Sequence, residues 1–148
     1  MAEKTIIAWT DHTSNFWMGC FKVSPGCKNC YALTLTKNRM GIDVWGPANS
    51  TQRQAVKSIW KNLAIWNKQA QKENKIHRVF VMSLGDFFEE HEDINHVRTQ
   101  AWQAMKECKN LHFQILTKRP ENIEKYLPLD WPWPNIWLVV SVENMDYA

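Results

Sequence analysis

The stretch Arg78-Val79-Phe80-Val81-Met82-Ser83 is a compact apolar run with no alternation of apolar and polar residues. A strand with one wet face alternates, whereas a strand covered on both faces does not, so this run predicts a strand inside a parallel sheet. Two further runs of strand length follow it. They are His112-Phe113-Gln114-Ile115-Leu116-Thr117 and Ile136-Trp137-Leu138-Val139-Val140-Ser141-Val142. Upstream, Ile6-Ile7-Ala8-Trp9 is the candidate first strand, and the polar segment after it, residues 10–15, is rich in turn formers.

Helical spacing fills the gaps between these runs. Ala55, Ile59, Leu63, Trp66 and Ala70 fall on one face of a helix that Asn49-Ser50 can cap, and Ile94, Val97, Ala101, Trp102 and Met105 give a second such face. Residues 31–38 read as a short helix stopped near Gly41, and Pro120 opens another that Pro128 ends. Trp131-Pro132-Trp133-Pro134 forms a rigid connector. Strand alternating with helix is the order that builds a parallel sheet through crossovers, so the predicted fold is α/β, with about four βα units of a partial (β/α) barrel. Such sheets bind ligands in the loops at the carboxyl ends of their strands. The polar residues concentrate there: the cysteines after the first strand, Gly85-Asp86 after the second, Lys118-Arg119 after the third, and Glu143-Asn144 after the fourth.

With 148 residues, 45% hydrophobic and 22% charged, the chain has the composition of one globular domain spanning 1–148. Its nine tryptophans read mainly as core, although exposed indoles also stack on bases. A formal charge of +3 from scattered lysines is too small to mark a nucleic-acid surface. No basic-then-apolar leader opens the chain and no apolar run nears the ~18 residues of a membrane span, so a cytoplasmic location is expected. There four cysteines are not disulfide staples. Cys108 reads as a buried small hydrophobe.

Cys20-x6-Cys27-x2-Cys30 sets three soft thiolates within eleven residues, beside Gly19, Pro25 and Gly26, which give the loop a turn-forming backbone. Three thiolates can hold three irons of a four-iron cluster and leave the fourth without a protein ligand. The competing reading is zinc, completed by His12 as a Cys3His site, although zinc pairs of the Cys-x2-Cys type usually come twice. Surface or capping roles are expected for His91 and His96.

At these cysteines the chain resembles the radical SAM proteins, whose cluster ligands follow the first strand of a barrel. It departs from their usual Cys-x3-Cys-x2-Cys spacing by a longer first gap. It resembles more closely a phage- and bacterium-associated family of unknown function that is itself radical-SAM-like. The shared runs are Trp9-Thr10-Asp11, Gly19-Cys20, Lys22-Val23-Ser24-Pro25-Gly26-Cys27, Asn29-Cys30-Tyr31, Leu116-Thr117-Lys118-Arg119-Pro120 and residues 137–144. The resemblance implies a [4Fe-4S] cluster on Cys20, Cys27 and Cys30, with S-adenosylmethionine on the open iron. Reductive cleavage of that cofactor would yield a 5′-deoxyadenosyl radical that abstracts hydrogen from an unidentified substrate, nucleic acid among the candidates. An electron donor such as flavodoxin or ferredoxin is then implied.

For the cofactor, the resemblance points to Gly85-Asp86 at the methionine ammonium, Lys118 or Arg119 at its carboxylate, and Ser141 and Glu143 at the ribose. The bland alternatives are that Asp86 caps a helix and that Glu143 pairs with Lys118 or Arg119. Relatives run on for further strands, so the chain reads as the front of a longer barrel. Its last strand would leave an open edge for a second copy or another chain to cover. Two other functions stay open: a zinc-stabilised module that binds nucleic acid or protein, and a degenerate half-barrel with a cluster but no activity.

Overall fold

The computed structural model describes residues 5–147. Its strands are β1 (His12–Ser14), β2 (Trp17–Met18), β3 (Gln54–Ala55), β4 (His77–Val81), β5 (Leu111–Thr117) and β6 (Ile136–Val140). A four-stranded sheet runs in the order β1-β4-β5-β6, and every neighbouring pair in it is parallel. The short strands β2 and β3 pair antiparallel beside it. The helices are α1 (Tyr31–Thr34), α2 (Ile59–Glu73), α3 (Asn95–Glu107) and α4 (Ile123–Tyr126).

The apolar run that predicted a doubly covered strand is one: Val79, Phe80 and Val81 are buried in succession. In β5, by contrast, Leu111, Phe113, Ile115 and Thr117 are buried while the residues between them are half-buried. Helix α2 lays Ile59, Leu63, Trp66 and Ala70 into the core and ends at Asn74, whose left-handed backbone (φ 51°) returns its N–H to the carbonyls of Ala70 and Gln71. Helix α3 buries Val97, Ala101, Trp102 and Met105, and with them Arg98. That charge is satisfied: its Nε donates to the Phe87 carbonyl at 2.8 Å, Nη2 donates to the Glu89 carbonyl, and the guanidinium lies 3.9 Å over the Tyr126 ring.

Three expectations are corrected. The first strand is His12–Ser14, inside the segment read as a polar turn, whereas Ile6 is wholly exposed. The free edge of β4 offers backbone partners to any residues that reach it. Here the polar side chains are accommodated individually: His12 stacks on Trp66 (centroids 4.4 Å apart, planes at 10°) and lies 3.0 Å from His77 Nδ1, while the Thr10 hydroxyl bonds the carbonyls of His12 and Arg78. The long helix begins at Ile59, not near Asn49-Ser50, because Gln54 and Ala55 are drawn into the ladder with Trp17 and Met18. The last strand stops at Val140, short of Ser141-Val142.

Strand β6 is the predicted open edge. Trp137, Val139 and Val140 are exposed, and Ile136 is its one buried residue. Cys108 is buried against the Leu63 carbonyl, as expected of a small hydrophobe. Trp17, Trp66 and Trp102 are core, and edge-on contacts of Trp102 with Phe87 and Trp133 continue the aromatic packing. No helix among the described residues is long and apolar enough to cross a membrane.

Ile115 is fully buried in β5, between β4 and β6. Ile115→Ala is expected to destabilise the protein by about 2–5 kcal/mol. Urea unfolding followed by circular dichroism should show a lower midpoint with an unchanged slope.

Candidate functional site

The chain leaves β1 through Asn15, whose Oδ1 accepts the Leu84 N–H at 2.7 Å and whose Nδ2 donates to the Ser83 hydroxyl at 2.9 Å. This fastens the start of the cysteine loop to the loop after β4. Gly19 then bridges Gly85, with φ at 114°, and an added Cβ would stand 2.3 Å from the Val44 carbonyl oxygen. Only glycine allows that approach. Past Cys20, residues 24–27 close a single 3-10 turn over Pro25–Cys27. Cys30 precedes α1, whose Tyr31 hydroxyl donates to the Ser83 carbonyl at 2.8 Å. Met82 takes a left-handed backbone (φ 71°), an uncommon state for a bulky residue, where the chain turns out of β4.

These turns bring all three cysteines to one cavity of about 230 Å³ at the carboxyl end of the sheet. Its wall also carries Ser83, Gly85 and Asp86 from the loop after β4, and Thr117, Lys118 and Arg119 from the end of β5. Four of the predicted cofactor residues, Gly85, Asp86, Lys118 and Arg119, therefore meet the cysteines. Ser141 and Glu143 do not line this cavity; they border a neighbouring groove that shares Lys118.

Glu143 clamps the cysteine loop. Its carboxylate accepts the Gly26 N–H at 2.6 Å, accepts the Ser24 hydroxyl at 2.9 Å, and pairs with the Lys118 ammonium. A Cβ on Gly26 would fall 2.0 Å from that carboxyl group, so the clamp requires glycine there. Asp86 is saturated. Its oxygens accept the Phe88 N–H (3.0 Å), the Thr117 hydroxyl (2.7 Å), the Lys118 N–H (2.9 Å) and the Arg119 guanidinium (3.4 Å). A carboxylate has about four lone-pair sites, so Asp86 supports the loops instead of presenting a free acceptor. Of the bland alternatives, the Glu143–Lys118 pair is present, whereas the Asp86–Phe88 bond closes a turn and caps no helix: the next helical turn begins at Glu92 and is capped by His91.

The thiols differ in their surroundings. Burial pushes the Cys20 thiol up to about 12, although the Arg119 cation pulls the other way. Burial also raises the Cys27 thiol, but hydrogen bonds from the backbones of Val23 and Ser24, the Ser24 hydroxyl and the Lys118 charge outweigh it and hold Cys27 below the usual thiol range. All four cysteines are unpaired.

Among the described residues, no three or more His, Cys, Asp or Glu side chains converge so as to hold a metal ion. A preformed Cys3His zinc site would need its ligands gathered about one point. His12, the candidate fourth ligand, is instead packed against Trp66 and is absent from the cavity wall. Cys20, Cys27 and Cys30, which line one cavity, are the residues that would hold a cluster. His91 is a cap and tie, taking the Asp93 N–H on Nδ1 and meeting the Thr51 carbonyl at 2.8 Å; His96 is exposed.

The residues that sequence reading missed are the tethers and the buried charges. Asn15, Tyr31 and Ser83 fix the loops, and Glu89 pairs with Arg53 through contacts of 2.6 and 2.9 Å, both side chains buried. One signal was available: Asp86 and Glu89 stand three apart around Phe87-Phe88, two acids beside a pair of core aromatics.

The arrangement defines a class, an α/β protein with a parallel sheet and a cysteine-lined cavity at its carboxyl end. The chain belongs to the family described as "Protein of unknown function (DUF5131)", whose model matches residues 4–148. No curated protein and no solved structure matches it.

Two outcomes test this geometry in metal-free protein. Iodoacetamide near neutral pH should alkylate Cys27 more than about tenfold faster than Cys20, read by peptide mass spectrometry. Glu143→Ala should speed amide hydrogen exchange across residues 24–27 while leaving β5 protected.

Proposed function

We propose that this protein binds a [4Fe-4S] cluster through Cys20, Cys27 and Cys30 and uses it with S-adenosylmethionine in radical chemistry. The observation that supports the reading is that Cys20, Cys27 and Cys30 all line one cavity at the carboxyl end of a parallel sheet, where such sheets bind their ligands. Three ligands leave one iron open, the condition for binding a second molecule there. What the reduced cluster supplies is one electron for cleaving a carbon–sulfur bond of S-adenosylmethionine, giving a radical that abstracts hydrogen from substrate. The sheet is read as the front arc of a radical-SAM-like barrel, with the edge strand β6 open to a further strand or another chain.

The chain's own residues have definable tasks. Ser24, with Lys118 nearby, favours the thiolate at Cys27, the ligand form of the side chain. Lys118 has three ammonium donors and spends contact on Glu143, so further donors remain for an anionic group such as the methionine carboxylate. Glu143, engaged with Ser24, Gly26 and Lys118, acts by holding the loop and not by meeting a ribose. The cavity's 230 Å³ is below the ~300–1,000 Å³ typical of sites that enclose a drug-sized ligand, so it fits the cluster more fully than the whole nucleoside cofactor. Free cysteines suit a reducing, cytoplasmic setting with a flavodoxin- or ferredoxin-type electron donor. The substrate class, nucleic acid included, is left to experiment.

Anaerobic reconstitution with iron and sulfide should yield about four irons and four sulfides per chain with a broad charge-transfer absorbance, and Cys27→Ala should lose most of it. Reduced holoprotein supplied with S-adenosylmethionine should release 5′-deoxyadenosine. Stoichiometric zinc with no iron uptake would overturn the cluster in favour of a zinc-stabilised binding module. A cluster without 5′-deoxyadenosine would mark a remnant that keeps the metal alone.

A further inference from the structure

Arg119 is buried and stands 99 residues along the chain from Cys20, yet its Nη1 donates to the Cys20 sulfur at 3.4 Å and its Nη2 to the Phe21 carbonyl at 2.8 Å. The other side of the guanidinium is held independently of the cysteine loop. Asp86 Oδ2 lies 3.4 Å from Nη1, and Glu89 Oε1 lies 3.9 Å from Nη2. Glu89 is in turn gripped by Arg53, whose Nη1 donates to the Val44 and Thr51 carbonyls and Nη2 to the Gly46 carbonyl.

Arg53, Glu89, Arg119 and Asp86 thus alternate in sign through the interior. Two cations and two carboxylates balance without any contribution from Cys20. Burying a lone guanidinium is costly, and these four groups offset one another's desolvation by mutual pairing and hydrogen bonding. The fork of Arg119 is therefore oriented before any ligand reaches the cysteines, with a donor aimed at one sulfur. Among the described residues, no such cation is in hydrogen-bond contact with Cys27 or Cys30.

We propose that Arg119 is a positioning residue that sets the reduction potential of the cluster through its hydrogen bond to the Cys20 sulfur. This rests on the cluster reading above. Adding an electron raises the negative charge on the ligand sulfurs, and a fixed donor carrying a positive charge stabilises that reduced state more than the oxidised one. The effect is an upward setting of the potential, felt at one corner of the cluster.

The test is a dithionite titration of the reconstituted protein, followed by electron paramagnetic resonance of the reduced cluster, in wild type, R119K and R119Q. The midpoint should move to more negative values, with R119Q shifted further than R119K because lysine keeps the charge but loses the two-pronged contact. Variants that lose thermal stability or iron content while keeping the wild-type midpoint would show Arg119 to be structural only, and would overturn the proposal. A measurement on wild type alone guards against variants that fail to fold. Protein labelled with 15N-arginine should show nitrogen hyperfine coupling to the reduced cluster in pulsed resonance spectra, and absence of that coupling overturns the contact. Failure of wild type to take up iron removes the cluster reading, and this inference with it. A normal cluster with an unmoved midpoint removes this inference alone.

Discussion

The carboxylate of Asp86 is the constraint on which the site depends. It accepts donors from its own loop, from the last residue of β5 and from the two residues after it, so one side chain fixes the relative placement of two adjacent strand ends. Parallel strands have no hairpin turn to set their loops in register, and a buried acceptor shared between loops takes over that task. Arg119 is placed by Asp86, and the Cys20–Phe21 segment is placed by Arg119. The order of dependence runs from a buried charge, through a second, to a sulfur.

A second set of restraints acts at the rim. Glu143 holds residues 24–26 from beyond β6, Tyr31 holds the start of α1 to Ser83, and Asn15 and Gly19 hold the beginning of the loop to the segment after β4. With Arg119 after β5, the loop is thus fastened from three strand ends at once. Loops are normally the mobile part of an α/β protein, and for the cluster proposed above, ligands scattered in the free state would lose conformational entropy on binding. Fastening before binding reduces that loss. The exposed side chains of Phe21 and Val23 contribute little to this; polar contacts, many of them to the loop's backbone, carry it.

The interior carries more charge than the apolar runs lead one to expect. Arg53, Asp86, Glu89, Arg98 and Arg119 are all buried, and each has partners that offset its desolvation. Arg98 bonds the carbonyls of Phe87 and Glu89, in the same short segment as Asp86, which lines the cavity. The segment between β4 and α3 is therefore held from both sides: by Arg98 through its backbone, and by Arg53 and Arg119 through its carboxylates.

The residues that made up the parallel sheet were legible where burial was continuous. Val79, Phe80 and Val81 form an unbroken apolar run because both faces of β4 are covered, while the face of α2 from Ile59 to Ala70 and the face of α3 repeat with the helical period because one side of a regular helix meets one core. The spacing of Cys20, Cys27 and Cys30 was equally local, since three soft side chains on one loop stay near each other whatever the rest of the chain does. Tertiary structure alone decided that His12–Ser14 is a strand, that Gln54–Ala55 leaves the helix for a ladder, and that Glu143 serves the cysteine loop. It alone also decided that Arg119 points at Cys20. Such contacts join residues tens to more than a hundred positions apart, from Arg53–Glu89 at 36 to Ser24–Glu143 at 119, and a hydrogen bond or ion pair between distant residues leaves no periodic trace in the chain that makes it.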